Sequence, residues 1–92
     1  MTAAHVPTFD DRVETCEQVL LDWCEANGVR ILPDIAVCEN KAGKLCGHNG
    51  NWLVQRIREG RSVPRYRTTG TRRFYRIRDI AIWLELGYPD AF

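Results

Sequence analysis

Ninety-two residues, 45% of them apolar and three of them tryptophan, specify one globular domain near the lower size limit for a core held by apolar burial, and exclude an intrinsically disordered chain. The longest apolar run, Ile80–Leu84, is five residues, against the roughly 20 needed to span a bilayer, so no membrane partner is expected. A net charge of +1 argues against indiscriminate coating of nucleic acid.

That total hides an asymmetry. Residues 1–27 carry six acids and one arginine, whereas residues 56–78 carry nine arginines and one glutamate. A basic patch on one side suits oriented docking onto a polyanion, and the use of Arg without Lys favours phosphate forks and base edges over mere solubility. The opening MTAAHVPTFDD has neither a basic n-region nor an apolar h-region, so no secretory signal is expected and the expected location is cytoplasmic. Cys16, Cys24, Cys38 and Cys46 contain no C-x2-C or C-x4-C pair. They read as free thiols serving as small apolar residues. Cys38, Cys46 and His48 are the combination that could contribute to an irregular metal site, but no metal or other cofactor is expected.

In chain order, residues 1–9 read as a loose tail. Asp10 or Asp11 is placed to cap an acidic helix over 10–27, with Val13, Cys16, Leu20, Trp23 and Cys24 as its apolar stripe and Asn27-Gly28 as its stop. Glu14, Glu17, Asp22 and Glu25 on its outer face would repel phosphates, so this helix belongs away from any nucleic acid, either solvated or docking a protein. Val29–Leu32 is a short β-like run ending at Pro33. A helix-turn-helix is expected over 34–60. Its first part reads either as one helix from Asp34 to Lys44 or as an extended piece followed by a short helix from Asn40. His48-Asn49-Gly50 is a turn, with Asn49 as N-cap of a second helix closed by Gly60. Leu53 and Ile57 point inward, helped by Trp52 or Val54. Asn51, Gln55 and Arg58 fall on one exposed line with Arg56 beside it, and these side-chain types match adenine and guanine edges in a major groove.

Residues 63–78 alternate basic with apolar or aromatic residues around a Gly-containing tip, which predicts a two-stranded β-hairpin. Tyr66, Phe74 and Ile77 are expected inside. Arg65, Arg67, Arg72 and Arg73 point outward with Thr69 near the tip, placed for a sugar–phosphate backbone or a minor groove. Asp79 is the expected cap of a closing helix over 79–87, with Ile80, Trp83 and Leu84 inward and Tyr88 and Phe92 folding back as a lid.

This pattern resembles the excisionase/MerR-like winged helix-turn-helix proteins. Ala42, Gly43, Cys46, Gly47, Asn49, Leu53, Ile57 and Gly60 fall at the spacings of that family's helix-turn-helix. Val63-Pro64, then Gly70-x-Arg72-Arg73-Phe74-x-Arg76-Ile77, then Asp79-Ile80-x-x-Trp83-Leu84 follow its wing and closing helix. The match covers about residues 40–85. His48 stands where an apolar residue is usual, Gly43 replaces a small Ala, Gln55 takes a frequent Arg position, and the acidic N-terminal helix has no counterpart in the minimal family. The resemblance implies an α+β fold, a small winged helix-turn-helix domain with a two-stranded β-hairpin wing, to which the acidic helix over 10–27 adds an extra N-terminal helix.

It further implies sequence-specific binding of double-stranded DNA, as an excisionase-like recombination directionality factor or a small transcription regulator of a phage or mobile element. The expected DNA contacts are Asn49, Asn51, Gln55, Arg56 and Arg58 from the reading helix and Arg65, Arg67, Thr69, Arg72 and Arg73 from the wing. One reading helix covers only a few base pairs, so useful specificity calls for a homodimer, a cooperative multimer on DNA, or a protein partner such as an integrase or RNA polymerase. The alternative is a protein-interaction module using the basic wing or the acidic helix. With His5 and His48 its only histidines and no Ser-His-Asp or paired-carboxylate constellation, the chain is not expected to be an enzyme.

Overall fold

The computed structural model describes residues 6–88. These form α1 (Phe9–Ala26), β1 (Ala36–Cys38), α2 (Glu39–Leu45), α3 (Trp52–Arg58), β2 (Arg67–Thr69), β3 (Arg72–Arg76) and α4 (Ile77–Glu85), a small α+β arrangement of four helices and a three-stranded antiparallel sheet in the order β1-β3-β2. Residues 1–5 of the expected tail, and Phe92 of the expected lid, lie outside the described residues.

Helix α1 starts earlier than its acids suggest. Thr8, not Asp10 or Asp11, is the N-cap: its Oγ1 accepts from the Asp11 N–H at 3.1 Å while the Asp11 carboxylate accepts from the Thr8 N–H at 3.0 Å. Val13, Leu20 and Cys24 are buried, against α4. Trp23, expected in the stripe, is 38% exposed at its edge. Two ion pairs tie the helices together, Arg12 to Glu85 at 3.3 Å and Arg78 to Glu17 at 3.2 Å. The helix ends at Asn27, whose amide Nδ2 donates to the Trp23 carbonyl at 2.8 Å, with Gly28 left-handed behind it.

The Val29–Leu32 run is irregular, and the strand comes later. A tight turn closes between Leu32 and Ala36, forcing Ile35 to φ +59°, a costly conformation for a β-branched residue. The second expectation for this stretch is the one realised, an extended β1 followed directly by α2. Gly43 of α2 is needed for a close approach: a Cβ there would stand 2.6 Å from the Asn49 carbonyl oxygen. The His48 N–H donates to the Gly43 carbonyl at 3.1 Å across the same contact. Helix α3 begins at Trp52, and Asn49 acts from outside it, its Oδ1 accepting from the Asn51 N–H at 2.9 Å.

In the sheet, β3 is central. Val37 lies opposite Tyr75, and Arg67 opposite Phe74. Strand alternation therefore puts Tyr66 and Phe74 on opposite faces, so the expectation that both enter the core fails. Tyr75 is the fully buried aromatic, Phe74 lies half-buried on the outer face, and Tyr66 is 41% exposed. The sheet also has a third strand, β1, beyond the expected hairpin. Helix α4 runs directly out of β3 with Arg76 as its N-cap; Asp79 sits inside the first turn instead of capping it. Ile77, Ile80, Ala81 and Trp83 are buried, and Tyr88 folds back to stack on Trp83 at 4.6 Å.

Candidate nucleic-acid interface

Helix α3 divides by its own periodicity. Leu53 and Arg56 face inward, and Asn49, Asn51, Gln55 and Arg58 are exposed on the opposite side or at its entry. Arg56 is therefore not on the exposed line: only 5% of it is accessible. Its guanidinium lies 5.0 Å from the Trp52 ring centre and 5.2 Å from that of Trp83, and its Nε donates to the Ser62 carbonyl at 2.7 Å. Position 56 is one turn beyond Trp52, on the flank facing α4, and a cation survives there because two indole faces and a carbonyl receive it. The Trp83 indole N–H completes the junction, donating to Ser62 Oγ at 2.7 Å. His48 stacks on the Trp52 ring at 3.8 Å. Arg56 thus fixes the orientation of α3.

The hairpin arginines fall into two groups. Arg67 forks onto Asp34, with Nε to Oδ2 at 2.8 Å and Nη2 to Oδ1 at 3.2 Å, and its Nη1 donates to Thr69 Oγ1 at 3.0 Å. That hydrogen bond, above all, holds the Asp34 carboxyl below its ordinary value. Arg73 forks onto Glu39 at 2.5 and 3.0 Å, and the buried Tyr75 hydroxyl donates to the same carboxylate at 2.7 Å. Burial first, and then this hydrogen bond, raise the Tyr75 pKa. Both arginines are neutralised within the chain. Arg65 and Arg72 are exposed and form no ion pair among the described residues, and the same is true of Arg58. The carboxylates that claim Arg67 and Arg73 lie 33 and 34 residues away, too remote for spacing to reveal.

The four cysteines are free, with Cys24 and Cys46 buried, and burial pushes the Cys46 thiol up to about 12. Among the described residues, no group of three or more His, Cys, Asp or Glu side chains is placed to hold a metal ion, and no helix is long and apolar enough to cross a membrane. No protein family, curated protein or solved structure matches the chain.

Proposed function

We propose that this chain is a winged helix-turn-helix domain that binds double-stranded DNA in a sequence-specific way. Helix α3 enters the major groove, and the β2–β3 hairpin lies as a wing on the neighbouring backbone. The observation that carries the reading is the exposed line Asn51, Gln55 and Arg58, on a helix whose other side is locked by Leu53 and by Arg56 between two indoles. Two short helices joined by the connection 46–51, followed by a hairpin offering Arg65 and Arg72 without an ion pair among the described residues, support it. The role is that of an excisionase-like recombination directionality factor or a small transcription regulator of a phage or mobile element, in the cytoplasm on the nucleoid. It acts as a homodimer or cooperative multimer, or beside an integrase or RNA polymerase.

Selection of bound duplexes from a random library tests this directly, with direct repeats pointing to cooperative assembly and a palindrome to a dimer. Gln55→Ala should relax preference at one or two base pairs, whereas Arg65→Ala should weaken all sequences alike and reduce the salt slope by about 0.9. No enriched motif, together with a flat salt dependence, would sink the reading.

One observation favours a second use of the domain. Val19 and Trp23, four residues apart on α1, are 60% and 38% exposed beside its acidic face. That is the composition of a protein-docking surface. Retention of a protein partner from nuclease-treated extract, lost in Trp23→Ala and without any DNA shift at about 100 mM salt, would favour this over DNA binding.

A further inference from the structure

The outer face of the sheet gathers three cations that no carboxylate meets among the described residues. Cys38 and Phe74 are paired across β1 and β3 and so share that face. The chain before β1 crosses beside it, with the Leu32 N–H donating to the Ala36 carbonyl at 2.9 Å. Arg30, Leu32, Cys38, Lys41, Arg72 and Phe74 thereby line a cavity of about 310 Å³, at the small end of the roughly 300–1,000 Å³ that organic ligands occupy. Leu32, Cys38 and Phe74 form its apolar wall. Arg30, Lys41 and Arg72 supply its charge, and none of them forms an ion pair among the described residues.

The contrast with the neighbours is informative. Arg67 and Arg73, on the same hairpin, are each matched by a two-pronged carboxylate. Glu39, the nearest acid in sequence, is engaged by Arg73 and Tyr75 and does not line the cavity. Lys41 is half-buried, so part of its hydration is already lost with no counter-charge among the described residues.

We propose that this cavity binds a phosphate group carrying a compact apolar substituent. A phosphate monoester brings about −1.5 to −2 charges and three acceptor oxygens at neutral pH. The two guanidinium forks and the lysine point charge suit such a group, whereas a monocarboxylate would leave most of the positive charge uncompensated. The apolar wall distinguishes an ester from inorganic phosphate. The site is separate from the exposed line of α3, and its test needs no specific DNA sequence.

Phenyl phosphate, inorganic phosphate and benzoate would be titrated into the full chain, with backbone amide shifts read by NMR. Phenyl phosphate should bind saturably, with shifts confined to residues 30–32, 38–41 and 72–74, and at least tenfold more tightly than the other two. Arg30→Gln and Lys41→Gln should each weaken it by about tenfold, the size of one charge-assisted contact, with unfolding midpoints unchanged. Addition of duplex DNA then identifies the source of the phosphate. Displacement of phenyl phosphate assigns the cavity to the DNA backbone, and simultaneous binding assigns it to a free ester. Shifts elsewhere, equal affinity for benzoate, or insensitivity to both substitutions would overturn the proposal. DNA selectivity that depends on Gln55 would be untouched by that failure.

Discussion

Replacing Glu39 by Ala should be the most damaging single change at the junction of α2 and the sheet. The carboxylate accepts from the Arg73 guanidinium at 2.5 and 3.0 Å and from the Tyr75 hydroxyl at 2.7 Å. Tyr75 is fully buried, so its orphaned hydroxyl costs about 1–3 kcal/mol. The Arg73 side chain is 28% exposed and recovers some hydration, so loss of its pair adds only about 1 kcal/mol. The expected loss is about 2–4 kcal/mol, which at roughly 4–8 °C per kcal/mol lowers the melting temperature by about 10 °C or more. Tyr75→Phe is the control. It removes donor and demand together and leaves Glu39 on Arg73, so it should cost about 1 kcal/mol or less. Urea unfolding followed by tryptophan fluorescence measures both. A Glu39→Ala loss no larger than that of Tyr75→Phe would refute the shared-acceptor account.

Other perturbations separate local from tertiary effects. Gly43→Ala gains helix propensity of up to about 1 kcal/mol, yet the new Cβ meets backbone that cannot swing aside, so a net destabilisation of at least about 1 kcal/mol is expected in thermal unfolding; a rise in melting temperature would show that the turn yields. Ile35→Asn should raise stability by about 1 kcal/mol, because the left-handed conformation is tolerated by Asn and the isoleucine is 46% exposed; equal or lower stability in the same assay would show that the apolar contact outweighs the strain. Asp34 has a folded pKa below its ordinary 3.8, so its contribution is present above that value and fades as pH falls through the lower folded one. Stability of Asp34→Asn should therefore fall less between pH 4 and 2 than that of the parent chain, and parallel acid limbs in urea titrations would refute it.

The stretches that the chain announces locally are those whose signals are local. The apolar stripe of α1, its Asn27-Gly28 stop, the Gly60 end of α3 and the hairpin turning at Gly70 all rest on near-neighbour periodicity or on left-handed glycine positions. The exposed line Asn51, Gln55 and Arg58 was likewise readable, because a four-residue and a three-residue step along one helix need no knowledge of the rest of the chain. Boundaries were less legible. Thr8 and Arg76 displaced nearby aspartates as caps, since several residues of similar capping chemistry or position compete there and chain direction decides between them.

Tertiary structure decided which charges are available and which aromatic is inside. Residue type does not distinguish Arg56 from Arg58, yet one is held between two indoles and the other faces water. Tyr75 won the core over Phe74 because its face of β3 meets Val37 and the Glu39 carboxylate, which satisfies its hydroxyl. The same carboxylate removes Arg73 from the pool of free cations, as Asp34 removes Arg67. The amino-acid order by itself determined that residues 56–78 are strongly basic. Only long-range pairing determined that Arg58, Arg65 and Arg72 keep their charge unmatched among the described residues, because a salt bridge depends on distance in space, and carboxylates more than thirty residues away leave no trace in local spacing.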